Sequence, residues 1–419
     1  MSKNFQYKNQ TLFCENVNLA EWAAEKKTPL YLYSAAELKD NLNTVNNIGR
    51  PYTFLPCYAL KANYNPHLLE IIQKHNFGAD VVSGGELIFA LKAGFKAQQI
   101  VFAGVGKTEE ELELAVKKGI ASINVESESE INLLSHVAGR LKKRTAVAIR
   151  VNPDIDASTH EYISTGKKVN KFGVEPEKAL QLYKKLKKDE WLTPEGIHVH
   201  IGSQITDKTP FERTAHVIEN FVKQLEKEEI SISNIDLGGG IGINYEDDFS
   251  DPHKPSTYIR HILPAYLQAF GQMDKRFTVE LGRSVIGSAG ILITRVIYRK
   301  ESADKIFIIV DAAMNNLIRP SLYQAYHHIV PLIKKDAPTE VVDVVGPVCE
   351  TGDFLAKDRQ LPRLEEGDLI AVVGAGAYGQ SLSSNYNLRP RIGEYLVEGD
   401  QLRTIAKEQS IEEIYNQYG

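Results

Sequence analysis

The sequence predicts an α/β chain in which a (β/α)8, TIM-like barrel is joined to a second, all-β domain of barrel or sandwich type. Three observations predict it. From residue 54 to 284, short apolar runs alternate with amphipathic helical stretches, the pattern of repeated βαβ units. Those runs number eight, the count a closed parallel barrel requires. After residue 285 the period changes to short strands separated by turns, with little helix. At 419 residues the chain is too long for one compact core. The expected division is an N-terminal segment 1–45, a barrel 46–285 and a β-domain 286–419.

In chain order, the first strand-like run is Pro29–Tyr33. A closed barrel has no edge to receive it, so it is expected to pair with the β-domain. The eight barrel runs are Phe54–Ala62, Ala79–Ser83, Ile100–Gly104, Ser122–Glu126, Ala146–Asn152, Gly196–Gly202, Ile235–Gly240 and Phe277–Gly282. Helices are expected between them, over Asn65–Asn76, Gly85–Gly94, Glu175–Glu190, Pro210–Glu228 and Tyr258–Gln272. Two more open on capping boxes. Thr108 to Glu111 precedes Leu112, Ala115 and Val116 on one face, and Ser127 to Glu130 precedes Ile131, Leu134 and Val137. The β-domain is expected to use Ile291–Arg299, Lys305–Val310, Glu340–Val345, Leu369–Val373 and Glu394–Val397.

Composition excludes several function classes. Hydrophobic residues make up 43% and charged residues 25%, and the net charge of −5 comes from mixed signs. That argues against a nucleic-acid or polybasic membrane binder. Residues 1–18 lack an apolar core, so no secretory signal is expected. No apolar run reaches the roughly 18 residues of a membrane span. Three widely spaced cysteines, Cys14, Cys57 and Cys349, suit a reducing compartment, and the cytoplasm is the expected location.

In such barrels chemistry gathers at the C-terminal ends of the strands. Lys61 falls at the end of the first expected strand, Ser83 to Gly85 at the second, and His200, Gly202 and Ser203 at the sixth. Gly238, Gly239 and Gly240 fall at the seventh, and Glu280, Gly282 and Arg283 at the eighth. A strand-end lysine is most often a solvated charge. Flanked by Ala62 and set in an apolar run, Lys61 would be partly desolvated, which favours a nucleophilic amine. The triple glycine does not fit G-x-G-x-x-G. It suits either a tight turn or the phosphate cradle that this fold places after strand seven. His198 and His200 could be core histidines, a metal pair lacking a convincing third ligand, or a flat imidazole set against a planar ring. Cys349, among Gly, Pro and acidic residues, suits an exposed turn. Arg319 with Tyr323, and Tyr378 in a glycine-rich loop, are weak signals singly.

Together, Tyr58–Asn63, Ser83–Leu87, His198–Gln204, Asp236–Tyr245, Glu280–Arg283, Arg319–Tyr323, Gly346–Asp353 and Gly374–Tyr378 resemble the motifs of the diaminopimelate decarboxylase family. That family belongs to the alanine-racemase-like, fold-type-III pyridoxal phosphate enzymes. The resemblance runs nearly end to end, with eight motifs in order. It implies a head-to-tail homodimer with active sites at the subunit interface, pyridoxal 5'-phosphate as cofactor, and no metal. Lys61 would hold the cofactor covalently and His200 would stack on its ring. Ser203 and Gly238, Gly239 and Gly240 would hold the phosphate, with Glu280, Leu281, Gly282 and Arg283 beside them. Glu280 would face the pyridine nitrogen, and Tyr378 would touch cofactor and substrate. Arg283, Arg319 and Tyr323 would bind the substrate's distal carboxylate. Cys349 would donate the proton and Glu350 would grip the distal ammonium, both from the partner chain. The family has Pro where this chain has Leu281, which frees φ and restores an N–H.

The implied reaction is decarboxylation of meso-2,6-diaminopimelate at its D-centre to L-lysine and CO2, the last step of lysine biosynthesis. The nearest alternative is an ornithine, arginine or carboxynorspermidine decarboxylase of the same fold type. Those substrates lack the spared amino-acid centre, so Arg319 to Tyr323 together with Cys349 and Glu350 favours diaminopimelate.

Overall fold

The computed structural model describes residues 4–155, 171–251, 253–271 and 273–418. Two compact units divide the chain. One holds Asn41–Gly242 and Tyr258–Ser284; the other holds Met1–Asp40, Ile243–Thr257 and Val285–Gly419. The short insert Ile243–Thr257, inside the stretch expected to be wholly barrel, thus packs with the terminal segments.

The first unit is a closed parallel barrel. Its strands, Phe54–Ala59, Gly78–Val81, Ile100–Phe102, Ser122–Val125, Thr145–Arg150, Leu192–His198, Asn234–Asp236 and Arg276–Leu281, pair in sequence order. The eighth closes on the first, with Phe277 opposite Phe54 and Leu281 opposite Tyr58. Gly78–Val81 and Ser122–Val125 are buried throughout, as strands covered on both faces must be. All eight expected runs are present, but the hydrogen-bonded ladders stop short of their expected C-terminal ends. The residues beyond the ladders turn toward the following helices and form the barrel mouth.

Helix starts follow the capping chemistry. The Thr108 hydroxyl accepts from the Glu111 N–H, and the Glu111 carboxylate accepts from the Thr108 N–H. Gly119, at φ +63°, ends that helix (Glu109–Lys118). The second expected box is only half made. Ser127 accepts from the Glu130 N–H, but Glu130 turns its carboxylate to the Glu126 N–H at 2.8 Å and the Lys107 ammonium at 2.6 Å. Lys107 is buried, and a buried cation needs its partner more than an exposed cap does. Pro66–Lys74, Gly84–Lys92, Pro176–Leu186, Thr209–Lys227 and Ile259–Ala269 supply the remaining expected helices. Gln272, the last residue expected of the final one, lies outside the described residues. Among the described residues no helix is long and apolar enough to cross a membrane.

The second unit is built on a mixed sheet. The strand Leu30–Ser34 lies at its centre, antiparallel to Gly290–Glu301 and parallel to Gly393–Glu398. Every residue of Leu30–Ser34 is buried, so the N-terminal strand is part of the core of the β-unit. Ile306–Val310, Thr339–Val345 and Phe354–Pro362 extend the sheet on one side and Gln401–Ala406 on the other. Leu369–Val372 pairs with Gly290–Glu301 and with Ile329–Pro331. Leu30, Leu32, Ile291, Ile293, Val330 and Ala371 lead its core, which also takes Phe5 and Leu12 from a small N-terminal sheet.

Candidate active site

The barrel unit brings one set of expected residues to the C-terminal ends of strands one, six, seven and eight. Lys61 does not end its strand. It sits in the single 3-10 turn Leu60–Ala62 that follows, with its side chain 39% exposed and its ammonium 3.4 Å from Asp80 on strand two. Burial raises the Asp80 carboxyl to about 7, the Glu280 charge adds to this and the Lys61 charge opposes it.

Below the mouth lies a buried polar network. Glu280 Oε2 is 3.2 Å from His198 Nε2, and Asn124 Nδ2 reaches both Glu280 Oε1 (3.4 Å) and Asp236 Oδ2 (3.1 Å). Asp236 Oδ1 accepts from the Gly238 N–H at 3.0 Å. Burial would raise the Glu280 carboxyl, but His198, Lys61 and His200 together hold it well below the usual range. Burial and the Glu280 charge push Asp236 up instead. Burial would lower His198, yet Glu280 and Asp236 raise it on balance. The two carboxyls are thus pushed in opposite directions, Glu280 toward its ionised form beside His198 and Asp236 toward its neutral form. The further donors that the sequence did not reveal beside His198 are thus Asp236 and Glu280, their ligand atoms and that of His198 within 4.8 Å of one another.

His200 lies two residues beyond the strand and does not pair with His198 in that cluster. Its Nδ1 accepts from the Gly239 N–H at 3.0 Å, which requires the neutral ring. Burial, Arg150 and Lys61 all push its pKa well below the usual histidine value, in agreement. The glycine turn serves the barrel itself. A Cβ at Gly238, where φ is +63°, would meet the Val199 carbonyl oxygen at 2.2 Å, and one at Gly239 would meet that of Glu280 at 2.0 Å. Two of its N–H groups are spent on Asp236 and His200; among the described residues the Gly240 N–H donates to no protein acceptor. Arg283 donates to the Ser203 hydroxyl at 2.9 Å, leaving that hydroxyl's own hydrogen to point elsewhere. Leu281 completes the strand-eight ladder, and Gly282 packs on Ala62, beside Lys61.

These donors fit pyridoxal phosphate. The amine of Lys61 can bind an aldehyde, and ionised Glu280 suits a protonated ring nitrogen. The neutral His200 ring is flat and uncharged. The Gly240 N–H, Ser203 and Arg283 form an anion-binding set.

The other expected residues lie in the β-unit. Arg319 opens the short helix Arg319–Tyr323 and is 5% exposed. Ser321 of that helix donates to the Gly352 carbonyl at 2.5 Å, so helix and the loop 346–353 are tied together. Asp353 braces this loop by accepting from the Val348 and Met314 N–H groups at 2.7 and 2.6 Å. Cys349 is exposed, as expected, and its N–H donates to Asn387 at 2.9 Å. Glu350 Oε2 is 3.5 Å from the Tyr386 hydroxyl. Tyr378 takes the left-handed conformation, φ +57°, and is partly buried.

Asp80 and Asn124 escaped sequence reasoning. Each is a polar residue inside a short buried strand, and that anomaly was the signal that could have found them.

Residues 36–287 match the family model described as pyridoxal-dependent decarboxylase, pyridoxal binding domain. The chain is 44% identical to the diaminopimelate decarboxylase of Aquifex aeolicus over 409 residues, covering 98% of this chain and 96% of that one. Among solved structures it is similar to diaminopimelate decarboxylase from Helicobacter pylori complexed with L-lysine. There the TM-score is 0.89 and the identity 41%, over 96% of this chain and 99% of that one. It is also similar to the M. jannaschii enzyme in co-complex with L-lysine, with TM-score 0.90 and 34% identity over 99% and 97% of the two chains.

Proposed function

Because the chain belongs to the diaminopimelate decarboxylase family of pyridoxal-dependent decarboxylases, we propose a role for each site residue in converting meso-2,6-diaminopimelate to L-lysine and CO2, the final step of lysine biosynthesis. The observation that carries this assignment is the meeting, at one barrel mouth, of the Lys61 amine with a carboxylate, Glu280, kept ionised while buried. When bound, pyridoxal phosphate draws electron density from the α-carbon as CO2 leaves. Lys61 would hold it covalently, and Glu280, fixed by His198 and Asn124, would face the pyridine nitrogen and keep it protonated. His200 would stack on the ring. Ser203, Arg283 and the Gly238 to Gly240 turn, through its Gly240 N–H, would hold the phosphate, with Leu281 and Gly282 shaping that wall. Tyr378 borders cofactor and substrate.

Selectivity rests on the spared L-centre. Arg319, Tyr323 and Arg283 take its carboxylate, and the partner's Glu350 takes its ammonium. The partner's Cys349 delivers a proton to the D-centre α-carbon after CO2 departs. The working unit is a homodimer with two shared sites, a reading supported by the exposed position of Cys349 on its loop. The odd, scattered cysteines support residence in the cytoplasm.

The test is a comparison of substrates. meso-Diaminopimelate is expected to exceed ornithine in kcat/KM by orders of magnitude, because ornithine leaves the spared-centre partners unpaired. Arg319→Ala is expected to lose about 2–5 kcal/mol of transition-state binding for diaminopimelate. Comparable kcat/KM for the two substrates would move the chain to the polyamine branch.

A further inference from the structure

We propose that His327 is a positioning residue: it fixes Arg319 through a neutral acceptor and thereby sets the requirement for a carboxylate on the spared end of the substrate. The inference rests on the role given to Arg319 above.

His327 is fully buried, eight residues beyond Arg319. The two meet because the helix Arg319–Tyr323 ends at Gln324 in a left-handed turn, φ +51°, that folds the chain back. His327 Nδ1 is 2.8 Å from the Val373 carbonyl oxygen, and a carbonyl only accepts, so Nδ1 carries the hydrogen. His327 Nε2 is 2.7 Å from Arg319 Nη1, and arginine only donates, so Nε2 is the acceptor. Its two neighbours therefore require the neutral ring and choose its tautomer. Arg359 Nη1 donates to the His327 carbonyl at 2.7 Å and fixes the backbone there. Tyr245 completes the support, its ring 4.7 Å from the Arg319 Cζ and edge-on to His327 at 4.8 Å and 71°.

The chemistry of the support matters. A carboxylate in the place of His327 would hold the guanidinium equally well but cancel its charge. A neutral imidazole and an aromatic face orient it without doing so. His327 thus acts through Arg319 and touches no reacting atom.

The experiment uses the full-length holoenzyme with His327→Asn and His327→Gln. Asn can keep the donor near Nδ1 but has no atom at the Nε2 position; Gln reaches that position with its amide oxygen. His327→Asn is expected to raise KM for meso-diaminopimelate and Ki for L-lysine in parallel, about tenfold or more, the loss of a charged hydrogen bond. His327→Gln is expected to stay within about threefold of wild type in both, and kcat is expected to change little in either variant. 1,5-Diaminopentane, which has no carboxylate, is expected to inhibit all three proteins with Ki values within about twofold of one another. An equal rise of the 1,5-diaminopentane Ki in His327→Asn, a loss of kcat alone, or an unchanged KM for meso-diaminopimelate in that variant overturns the assignment of His327. Failure of the wild type to convert meso-diaminopimelate overturns the functional reading as well, and so the two failures are distinguishable.

Discussion

Lys61→Ala is expected to abolish turnover, lowering kcat about 10³-fold or more, and to remove the visible absorbance of the protein-bound cofactor. On the proposed roles, the Lys61 amine lies at the barrel mouth where it would bond the cofactor covalently. Its position follows from local structure: strand one stops at Ala59 and the chain enters a 3-10 turn that carries Lys61 out over Asp80. The fold is expected to survive the change. Asp80 loses its neighbouring ammonium, but burial already raises that carboxyl to about 7, so it can take up a proton instead of remaining an unpaired buried charge. Stability by urea denaturation should therefore stay near wild type while activity and absorbance vanish together. Near wild-type CO2 release by this variant would remove Lys61 from the chemistry.

Mixing two inactive proteins is expected to restore activity. Lys61→Ala and Cys349→Ala homodimers should each be nearly inactive, since each lacks one group at both sites. Dissociated and reassociated at equal amounts, about half of the dimers become hybrids by random pairing. Each hybrid carries one site with both lesions and one with neither, because a two-fold contact is reciprocal. Activity should recover to about a quarter of wild type on the same arithmetic. Exchange is checked by tagged pull-down. Verified hybrids without activity would mean that Cys349 works within its own chain or not at all.

The barrel was legible because its signals are local. Eight apolar runs, the Thr108 capping box and the strand-like Pro29–Tyr33 each declare themselves within a few residues. Elements that depend on distant partners were not. The small sheet Phe5–Lys8, Thr11–Cys14 and Val17–Asn18 is formed of strands too short for a clear period. Gln401–Ala406 is an exposed edge strand with little alternation, and the register shifts of Phe354–Pro362 blur its period. The helix Ala35–Gly49 went unrecognised although Leu38, Leu42 and Val45 mark its buried face. The site divides in the same way. Lys61, His200 and the glycine turn stood out by their positions after apolar runs. Asn124, Asp236 and Glu280 become one network only when strands four, seven and eight close around the interior. His327 gains meaning from Arg319 together with Tyr245 and Val373, the last of which is 46 residues away.

The most direct measurement incubates the purified chain with pyridoxal phosphate and meso-diaminopimelate, and follows CO2 together with the chirality of the lysine formed. The account predicts equimolar CO2 and L-lysine. No CO2 release, or D-lysine as the product, would contradict it.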